Sequence, residues 1–279
     1  MTYIMDTAFE GVRIERKTDR AMTIAQLQWA GVSGSQRVLD LGCASGTTTR
    51  LIADVVGPSG NVVGVDVSGR RLEEAVGHVH HVTNITYREG DATSIPAVDG
   101  AFDVAWSRFL FEYLPQPATV LDEMIRVTVP GGLVCVSDLD GNCTWHHPMD
   151  DRLRCEIDDA LRVLRDDFCP NVGRQIYAMF VDAGLQEIEV AVRPYHIIAG
   201  RIGPEQQTQW TAKIEGVAEA LVQRGWLPGR VRRLCDDFAT MLADPRSFSY
   251  SVLISVRGRV PTTPAQARRS ILPCTPAIA

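Results

Sequence analysis

The chain has 279 residues, of which 45% are hydrophobic and 22% are charged, and its formal net charge is −6. This length and composition predict one globular domain with an insertion, or two small domains, with a core that needs no disulfide bonds. The acidic balance argues against a nucleic-acid partner. The sequence also contains no run of about 18 apolar residues, the length that a membrane span requires.

The seven cysteines include no Cys-x-x-Cys pair. Cys43, Cys135 and Cys235 fall within apolar or helical patterns, which favours buried thiols in a reducing, cytoplasmic compartment. The cysteine spacing predicts no zinc site. Residues 1–20 lack the apolar centre of a signal peptide.

Short apolar runs alternate with helical patterns through the first half of the chain. Five of these runs read as buried strands, at 36–41, 61–66, 85–89, 102–107 and 133–138. Two later segments, 186–192 and 248–256, also read as strands, which makes seven. The alternation predicts an α/β fold, a doubly wound and mostly parallel sheet with helices on both faces.

The first strand ends in a turn of small residues that leads into a helix. Gly42, Ala44 and Gly46 leave this turn without bulky side chains, and the helix that begins at Thr47 offers unpaired N–H groups. Such a turn is equally consistent with close packing and with binding of a nucleotide-like cofactor. Its spacing differs from the G-x-G-x-x-G of dinucleotide sites, which argues against a nicotinamide oxidoreductase.

Polar side chains stand at the ends of the predicted strands. Ligands of such sheets bind beyond the carboxyl ends of the strands, where the strand order changes direction. The sequence therefore predicts a binding site at this rim. Its polar members are Asp40, Asp66, Asp91, Ser107 and Asp138.

Five segments, taken in order, resemble the motifs of class I S-adenosylmethionine-dependent methyltransferases. They are VLDLGCASG at 38–46, VGVDVS at 63–68, GDA at 90–92, FDVAWSR at 102–108 and PGGL at 130–133. The resemblance is close over 20–140 and looser over 170–193 and 247–258. It is most similar to the small-molecule (type 11-like) group of quinone and natural-product pathways.

The resemblance implies a Rossmann-like methyltransferase fold, whose seven-stranded sheet has an antiparallel last strand, with helical cover insertions. It also implies S-adenosylmethionine as the cofactor. Asp40 would orient the turn and reach the cofactor ammonium, Asp66 would accept both ribose hydroxyls, and Asp91 would accept from the adenine amine. The other implied contacts are the turn residues Gly42, Ala44 and Gly46, the adenine neighbours Val67, Arg71 and Ala92, and Ser107 beneath the methionine part.

The sequence departs from the family at two positions. Ala44 stands where glycine is more common, which would cost roughly 1 kcal/mol if the backbone there has a positive φ. Tyr113 stands where related small-molecule enzymes often have histidine.

Candidate catalytic residues follow the fourth and fifth strands, whose loops open toward the methyl group in this fold. They are Glu112 and Tyr113 after strand four and His146 after strand five. Each can act as a base or as a hydrogen-bond partner of the acceptor. No metal site is predicted, because the adjacent residues His146 and His147 point different ways and no carboxylate completes a ligand set.

These observations favour an enzyme that transfers a methyl group to O, N or C of a small molecule, such as a secondary metabolite or a quinone-like compound. A peptide or RNA methyltransferase is an alternative, supported only by the basic run at 230–233. A protein that binds S-adenosylmethionine without turnover is another, since the rim motifs are common to both. A monomer or a homodimer is expected.

The predicted domains follow from these patterns. The cofactor-binding core comprises 36–193 and 246–258, and residues 259–279 form a flexible tail. An N-terminal segment, 1–35, and a helical insertion, 194–245, are expected to cover the acceptor pocket and exclude water from it. A structural or dimer-forming helical pair is the alternative for the insertion, whose two sets of apolar residues each form one helix face.

Overall fold

The computed structural model of the chain describes residues 18–79, 83–142 and 144–262. Residues 1–17 of the expected N-terminal cover and residues 263–279 of the predicted tail therefore lie outside the described residues.

A single sheet organises the described chain. Its order is β3-β2-β1-β4-β5-β8-β6, and β7 pairs with β8 as well. Strands β1 to β5 pair in parallel, whereas β8 is antiparallel to β5 and β7. The strands are β1 Arg37–Leu41, β2 Asn61–Asp66, β3 Ile85–Glu89, β4 Phe102–Arg108, β5 Thr128–Asp140, β6 His146–His147, β7 Gln186–Ala199 and β8 Phe248–Arg259.

The predicted fold class is confirmed, since seven long strands form a mostly parallel sheet with an antiparallel last strand. The two-residue β6 is an addition, and β7 runs seven residues beyond the predicted 186–192. The helices are α1 Arg20–Trp29, α2 Thr47–Val56, α3 Gly69–Gly77, α4 Pro117–Val127, α5 Asp151–Val163, α6 Gly173–Asp182, α7 Pro204–Gln223 and α8 Pro228–Ala243. A 3₁₀ turn spans Phe111–Tyr113. None of the described helices combines the length and the apolar character needed to cross a membrane.

Successive side chains of each strand point to opposite faces of the sheet, so the core consists of two layers. Leu39 of β1 and Ala105 of β4 face a cluster that includes residues of α4 and α6. Val38 and Trp106, on the same two strands, face the opposite cluster, which includes residues of α1 and α2. Both faces of the strands are therefore buried, as expected for a parallel sheet covered by helices.

The strand register brings the carboxyl ends of the central strands together. Leu41 of β1 lies opposite Val65 of β2 and Ser107 of β4. The residues that follow these three positions leave the sheet at one rim. This alignment positions the candidate site.

The insertion between β7 and β8 consists of α7 and α8, as the helical patterns predict. Their apolar faces pack on each other and on α5 in a separate cluster that includes Leu153, Trp210, Leu221 and Phe238. Proline occupies the first position of both inserted helices, where the missing N–H has no helical partner in any case.

We expect Leu221→Ala to lower the free energy of unfolding by about 2–5 kcal/mol, because this fully buried side chain would leave a cavity in the inserted cluster. Urea titration measures the change. Val222→Ala is the matched control. Its side chain is 42% exposed, so the expected loss is below about 1 kcal/mol. Equal losses in the two variants would contradict the packing of α7 described above.

Candidate active site

A cavity of about 780 Å³ opens at the carboxyl ends of the central strands. One wall is the turn after β1, a second consists of residues that follow β2 and β3, and a third is formed by the end of β4 and the 3₁₀ turn. Its size lies within the range of ligand pockets.

The turn after β1 has an unusual backbone. Gly42, Ala44 and Gly46 all have positive φ, at 77°, 46° and 77°. A side chain at Gly46 would collide with the Tyr87 hydroxyl, so glycine is required there for space as well as for conformation. The sequence prediction left the sign of φ at Ala44 open, and the positive value means that alanine is strained at this position.

The Asp66 carboxylate fixes the turn from the neighbouring strand. Its Oδ2 accepts from the Ala44 N–H at 2.9 Å, and its Oδ1 accepts from the Ser68 N–H at 2.9 Å. Asp66 also lines the cavity. A carboxylate oxygen has two lone pairs, so each oxygen retains acceptor capacity toward the cavity.

Asp40 and Ser107 lie behind the cavity wall. Asp40 is 2% exposed and accepts from the Thr49 hydroxyl at 2.6 Å, which links β1 to α2. Burial raises the pKa of Asp40 to about 7, an effect that the Thr49 hydrogen bond opposes. The fully buried Ser107 donates to the Leu41 carbonyl at 3.1 Å. Through these hydrogen bonds, both residues stabilise the strand ends behind the cavity wall.

The other predicted cofactor residues contribute to the second wall of the cavity. Asp91 Oδ1 accepts from the N–H and the hydroxyl of Thr93, at 2.8 and 2.6 Å, and these bonds hold the pKa of Asp91 below its ordinary value. Val67, Arg71 and Ala92 line the same wall.

A hydrogen-bonded chain links the 3₁₀ turn to the insertion. Glu112, which is 3% exposed and lines the cavity, accepts from the Asn142 amide at 2.9 Å. Asn142 in turn accepts from Lys213 Nζ of α7 at 2.9 Å. Asp138 anchors the turn by accepting from the Glu112 N–H at 3.1 Å. Burial, together with the Glu112 carboxylate, raises the pKa of Asp138 well above its ordinary value.

The remaining catalytic candidates occupy different surroundings. Tyr113 lines the cavity and packs against Phe168, with 5.6 Å between ring centroids. His146 is not among the described residues that line the cavity. Its Nδ1 lies 2.7 Å from the Ser249 hydroxyl, and its ring lies edge-on to Phe238. The structure thus groups Glu112 and Tyr113 but not His146.

The sequence prediction assigned no role to Arg108, which lines the cavity. Arg108, the last residue of β4, is 9% exposed, and Phe109 directly beneath it has a φ of 59°. The guanidinium carbon lies 4.3 Å from the centre of the Phe109 ring. Burial lowers the pKa of Arg108. The available signal was a charged residue at the carboxyl end of an apolar strand.

Both segments of the predicted cover, 1–35 and 194–245, contribute a described residue to the cavity wall, and the segment after α5 contributes a third. These are Thr18 before α1, Asp167 after α5 and Lys213 of α7. Among the described residues, no group of three or more His, Cys, Asp or Glu side chains could hold a metal ion.

We expect Ala44→Gly to raise the free energy of unfolding by roughly 0.5–1 kcal/mol, because glycine relieves the strain of a positive φ. Urea titration of the ligand-free protein measures this. Ala53→Gly is the control of opposite sign. It places glycine inside α2 and should cost about 1 kcal/mol or more. Destabilisation by both substitutions would contradict the assigned strain.

The raised pKa of Asp40 predicts a specific pH dependence of the folding stability. A buried acid whose folded-state pKa of about 7 exceeds its ordinary 3.8 holds its proton better in the folded state, so stability falls as pH rises from about 4 to about 7. The loss is at most roughly 4 kcal/mol, and Asp40→Asn should remove it. Denaturant titrations at several pH values measure the slope.

Asp103→Asn is the control for this slope. Arg37 hydrogen-bonds Asp103 and lowers its pKa, so the folded state gains stability from Asp103 above about pH 4 and loses it as pH falls further. Asp103→Asn should therefore weaken the protein at pH 7 more than at pH 3. A pH profile of Asp40→Asn that coincides with the unmodified profile would refute the assignment.

Comparison with known proteins identifies the family. Residues 38–132 match a family model described as a methyltransferase domain. A demethylmenaquinone methyltransferase of Geobacillus is 30% identical over 187 residues, which cover 62% of this chain and 80% of that relative. An arsenite methyltransferase of Halobacterium salinarum is 28% identical over 165 residues, 58% of this chain and 40% of that relative. The chain spans about half the length of several curated relatives, at 54%, 40% and 57%.

The fold is shared with solved methyltransferases. Phosphoethanolamine N-methyltransferase 2 of Haemonchus contortus, solved with S-adenosylmethionine, has a TM-score of 0.55 and 21% identity, covering 86% of this chain and 52% of its own. A provisionally assigned methyltransferase of Bacillus halodurans has a TM-score of 0.57 and 19% identity, covering 86% and 99%. The chain therefore belongs to the class I S-adenosylmethionine-dependent methyltransferases, a family whose cofactor is S-adenosylmethionine.

Proposed function

We propose that this chain transfers the methyl group of S-adenosylmethionine to a small-molecule acceptor. The observation that carries the proposal is the single cavity bordered both by the turn after β1 and by Glu112 and Tyr113. A cofactor against the turn and an acceptor against the 3₁₀ turn would share this space.

The cavity residues fit the cofactor chemically. The Asp66 carboxylate has acceptor capacity for two ribose hydroxyls, and the positive-φ turn from Gly42 to Gly46 would lie beneath the amino-acid end. Asp91, Val67, Arg71 and Ala92 would surround the adenine. Asp40 and Ser107 would act from behind the wall, Asp40 toward the ammonium and Ser107 beneath the methionine part.

When bound, S-adenosylmethionine supplies a methyl group that its sulfonium already activates. The protein then has to hold the acceptor atom in line with that methyl, and positioning of this kind accounts for much of the rate gain. An acceptor that carries a proton of high pKa also requires a base.

Glu112 and Tyr113 are the proposed proton acceptors or acceptor-binding groups. Both line the cavity, and the hydrogen bond from Asn142 holds the Glu112 carboxylate in one orientation. His146, the third candidate, is proposed only in a supporting role, since it contacts Ser249 and Phe238.

A small-molecule acceptor accounts best for the cavity. By their names, the relatives act on arsenite and on demethylmenaquinone, both small molecules. The insertion contributes Lys213 to the wall, which supports the proposal that it covers the acceptor side, and a covered site would suit a small molecule better than a peptide or RNA. We propose O, N or C as the receiving atom, in a quinone-like or secondary metabolite. The described end of segment 1–35 and the insertion 194–245 would act as the cover.

A protein that binds the cofactor without turnover remains the second candidate, because the turn and Asp66 serve binding in either case. Release of S-adenosylhomocysteine in the presence of a panel of phenols, amines, quinols and arsenite separates the two. The enzyme releases it with at least one acceptor, whereas a non-catalytic binder releases it with none.

We expect Asp66→Ala to weaken S-adenosylhomocysteine binding by about 1.5–3 kcal/mol for each hydroxyl hydrogen bond lost. Calorimetry measures the affinity. Asp182→Ala, at the exposed end of α6, is the matched carboxylate control and should bind as the unmodified protein does. Unchanged affinity in Asp66→Ala would exclude the proposed cofactor position.

A further inference from the structure

Arg108 is a buried cation that the described chain does not compensate. The residue is 9% exposed, and its Nε and Nη2 have no hydrogen-bond partner among the described residues. A buried charge without a partner is costly, and breaking a buried pair typically destabilises a protein by several kcal/mol. An uncompensated guanidinium that lines a cavity is therefore suited to receive an anion from within that cavity.

The acids that face Arg108 are committed to other donors. Asp40 accepts from the Thr49 hydroxyl, Asp138 accepts from backbone N–H groups, and Asp19 caps α1 by accepting from the Met22 N–H. None of these acids accepts a hydrogen bond from Nε or Nη2 of Arg108 among the described residues. Tyr195 also contributes to the charge environment of Arg108.

The carboxylates that line the cavity are likewise engaged. Asp66 accepts from two backbone N–H groups, Asp91 from Thr93, Glu112 from Asn142, and Asp167 from Arg224. Among the described residues that line the cavity, each acid thus accepts a hydrogen bond, whereas Nε and Nη2 of Arg108 donate none.

The backbone beneath Arg108 holds the guanidinium in place. Phe109 adopts a φ of 59°, which is uncommon for a bulky residue, and its N–H donates to the Ser137 carbonyl at 2.9 Å. The ring lies 4.3 Å from the guanidinium carbon and offers it a cation–π contact. Backbone strain of this kind concentrates at functional sites, where the surrounding structure maintains it.

We infer that Arg108 is a carboxylate-binding residue of this cavity, an inference that rests on the proposed methyl transfer. A planar guanidinium matches a carboxylate through two parallel N–H···O bonds. Two molecules of the proposed reaction can supply this group: the amino-acid end of the cofactor, or an acidic acceptor.

The sheet register explains how the cofactor can supply it. Asp40 lies opposite Trp106, so Arg108 is two residues further along β4 on the same face of the sheet. Because Leu41 lies opposite Ser107, Arg108 follows at the level of Gly42, the first residue of the turn proposed to lie beneath the amino-acid end of the cofactor. An acidic acceptor that occupies the part of the cavity lined by Glu112 is the other possible source.

The test compares Arg108→Met with Arg108→Lys by calorimetry. The first ligand pair is S-adenosylhomocysteine and methylthioadenosine, which lacks the amino-acid end. The second pair is benzoate and benzamide, titrated into protein saturated with S-adenosylhomocysteine. Arg37→Met, at the opposite end of β1, is the control that removes an arginine outside the cavity.

Arg108→Met should weaken the binding of either S-adenosylhomocysteine or benzoate by roughly tenfold or more. The affinity for the counterpart without a carboxylate, methylthioadenosine or benzamide, should not change. Arg108→Lys should recover part of the loss, and Arg37→Met should lose nothing. A loss confined to S-adenosylhomocysteine assigns the cofactor as the source of the carboxylate, and a loss confined to benzoate assigns the acceptor.

Two results would overturn the inference. One is unchanged affinity for both acids. The other is an equal loss for S-adenosylhomocysteine and methylthioadenosine, which indicates a structural role. The melting temperature of Arg108→Met should equal or exceed that of the unmodified protein, because the variant removes an uncompensated buried charge. Failure of the unmodified protein to bind S-adenosylhomocysteine would instead count against the proposed function, and benzoate titrated without it then tests Arg108 alone.

Discussion

The register of the parallel strands is the constraint on which the site depends. Because Leu41 lies level with Val65 and Ser107, the segments that follow β1, β2 and β4 leave the sheet at the same height. Their side chains then meet without any long connection between them. A shift of one residue in a single strand would exchange its two faces and remove Asp66 or Arg108 from the cavity wall.

A second constraint is the attachment of the insertion to the core. Helices α7 and α8 have their own apolar cluster with α5, which by itself would leave their position over the sheet weakly determined. The chain of hydrogen bonds from Glu112 through Asn142 to Lys213 supplies a polar link between that cluster and the 3₁₀ turn. These side chains are buried, so removing one of them would leave the polar groups of the others without a hydrogen-bond partner. The link therefore favours one position of the insertion over the sheet.

The sequence predicts the sheet, the turn and the inserted helices because each depends on local patterns. Apolar runs mark the strands, and Gly42 and Gly46 mark the turn. What the sequence does not reveal is which rim residues face the cavity. Asp40 and Asp66 both end apolar runs, yet only Asp66 lines the cavity, since Asp40 turns inward to Thr49. The role of Lys213 depends on contacts between distant segments and has no local signal.

The role of Arg108 also depends on contacts that the sequence pattern does not reveal. It stands within a motif whose resemblance directs attention to Ser107, and an arginine at the end of a strand is ordinarily exposed. Only its burial, together with the prior commitment of every acid near it, distinguishes it from a surface charge. A chain with a net charge of −6 could readily place a carboxylate beside this arginine. Such a partner would stabilise the ligand-free protein but would compete with an anionic ligand, so the uncompensated charge favours binding at the expense of stability.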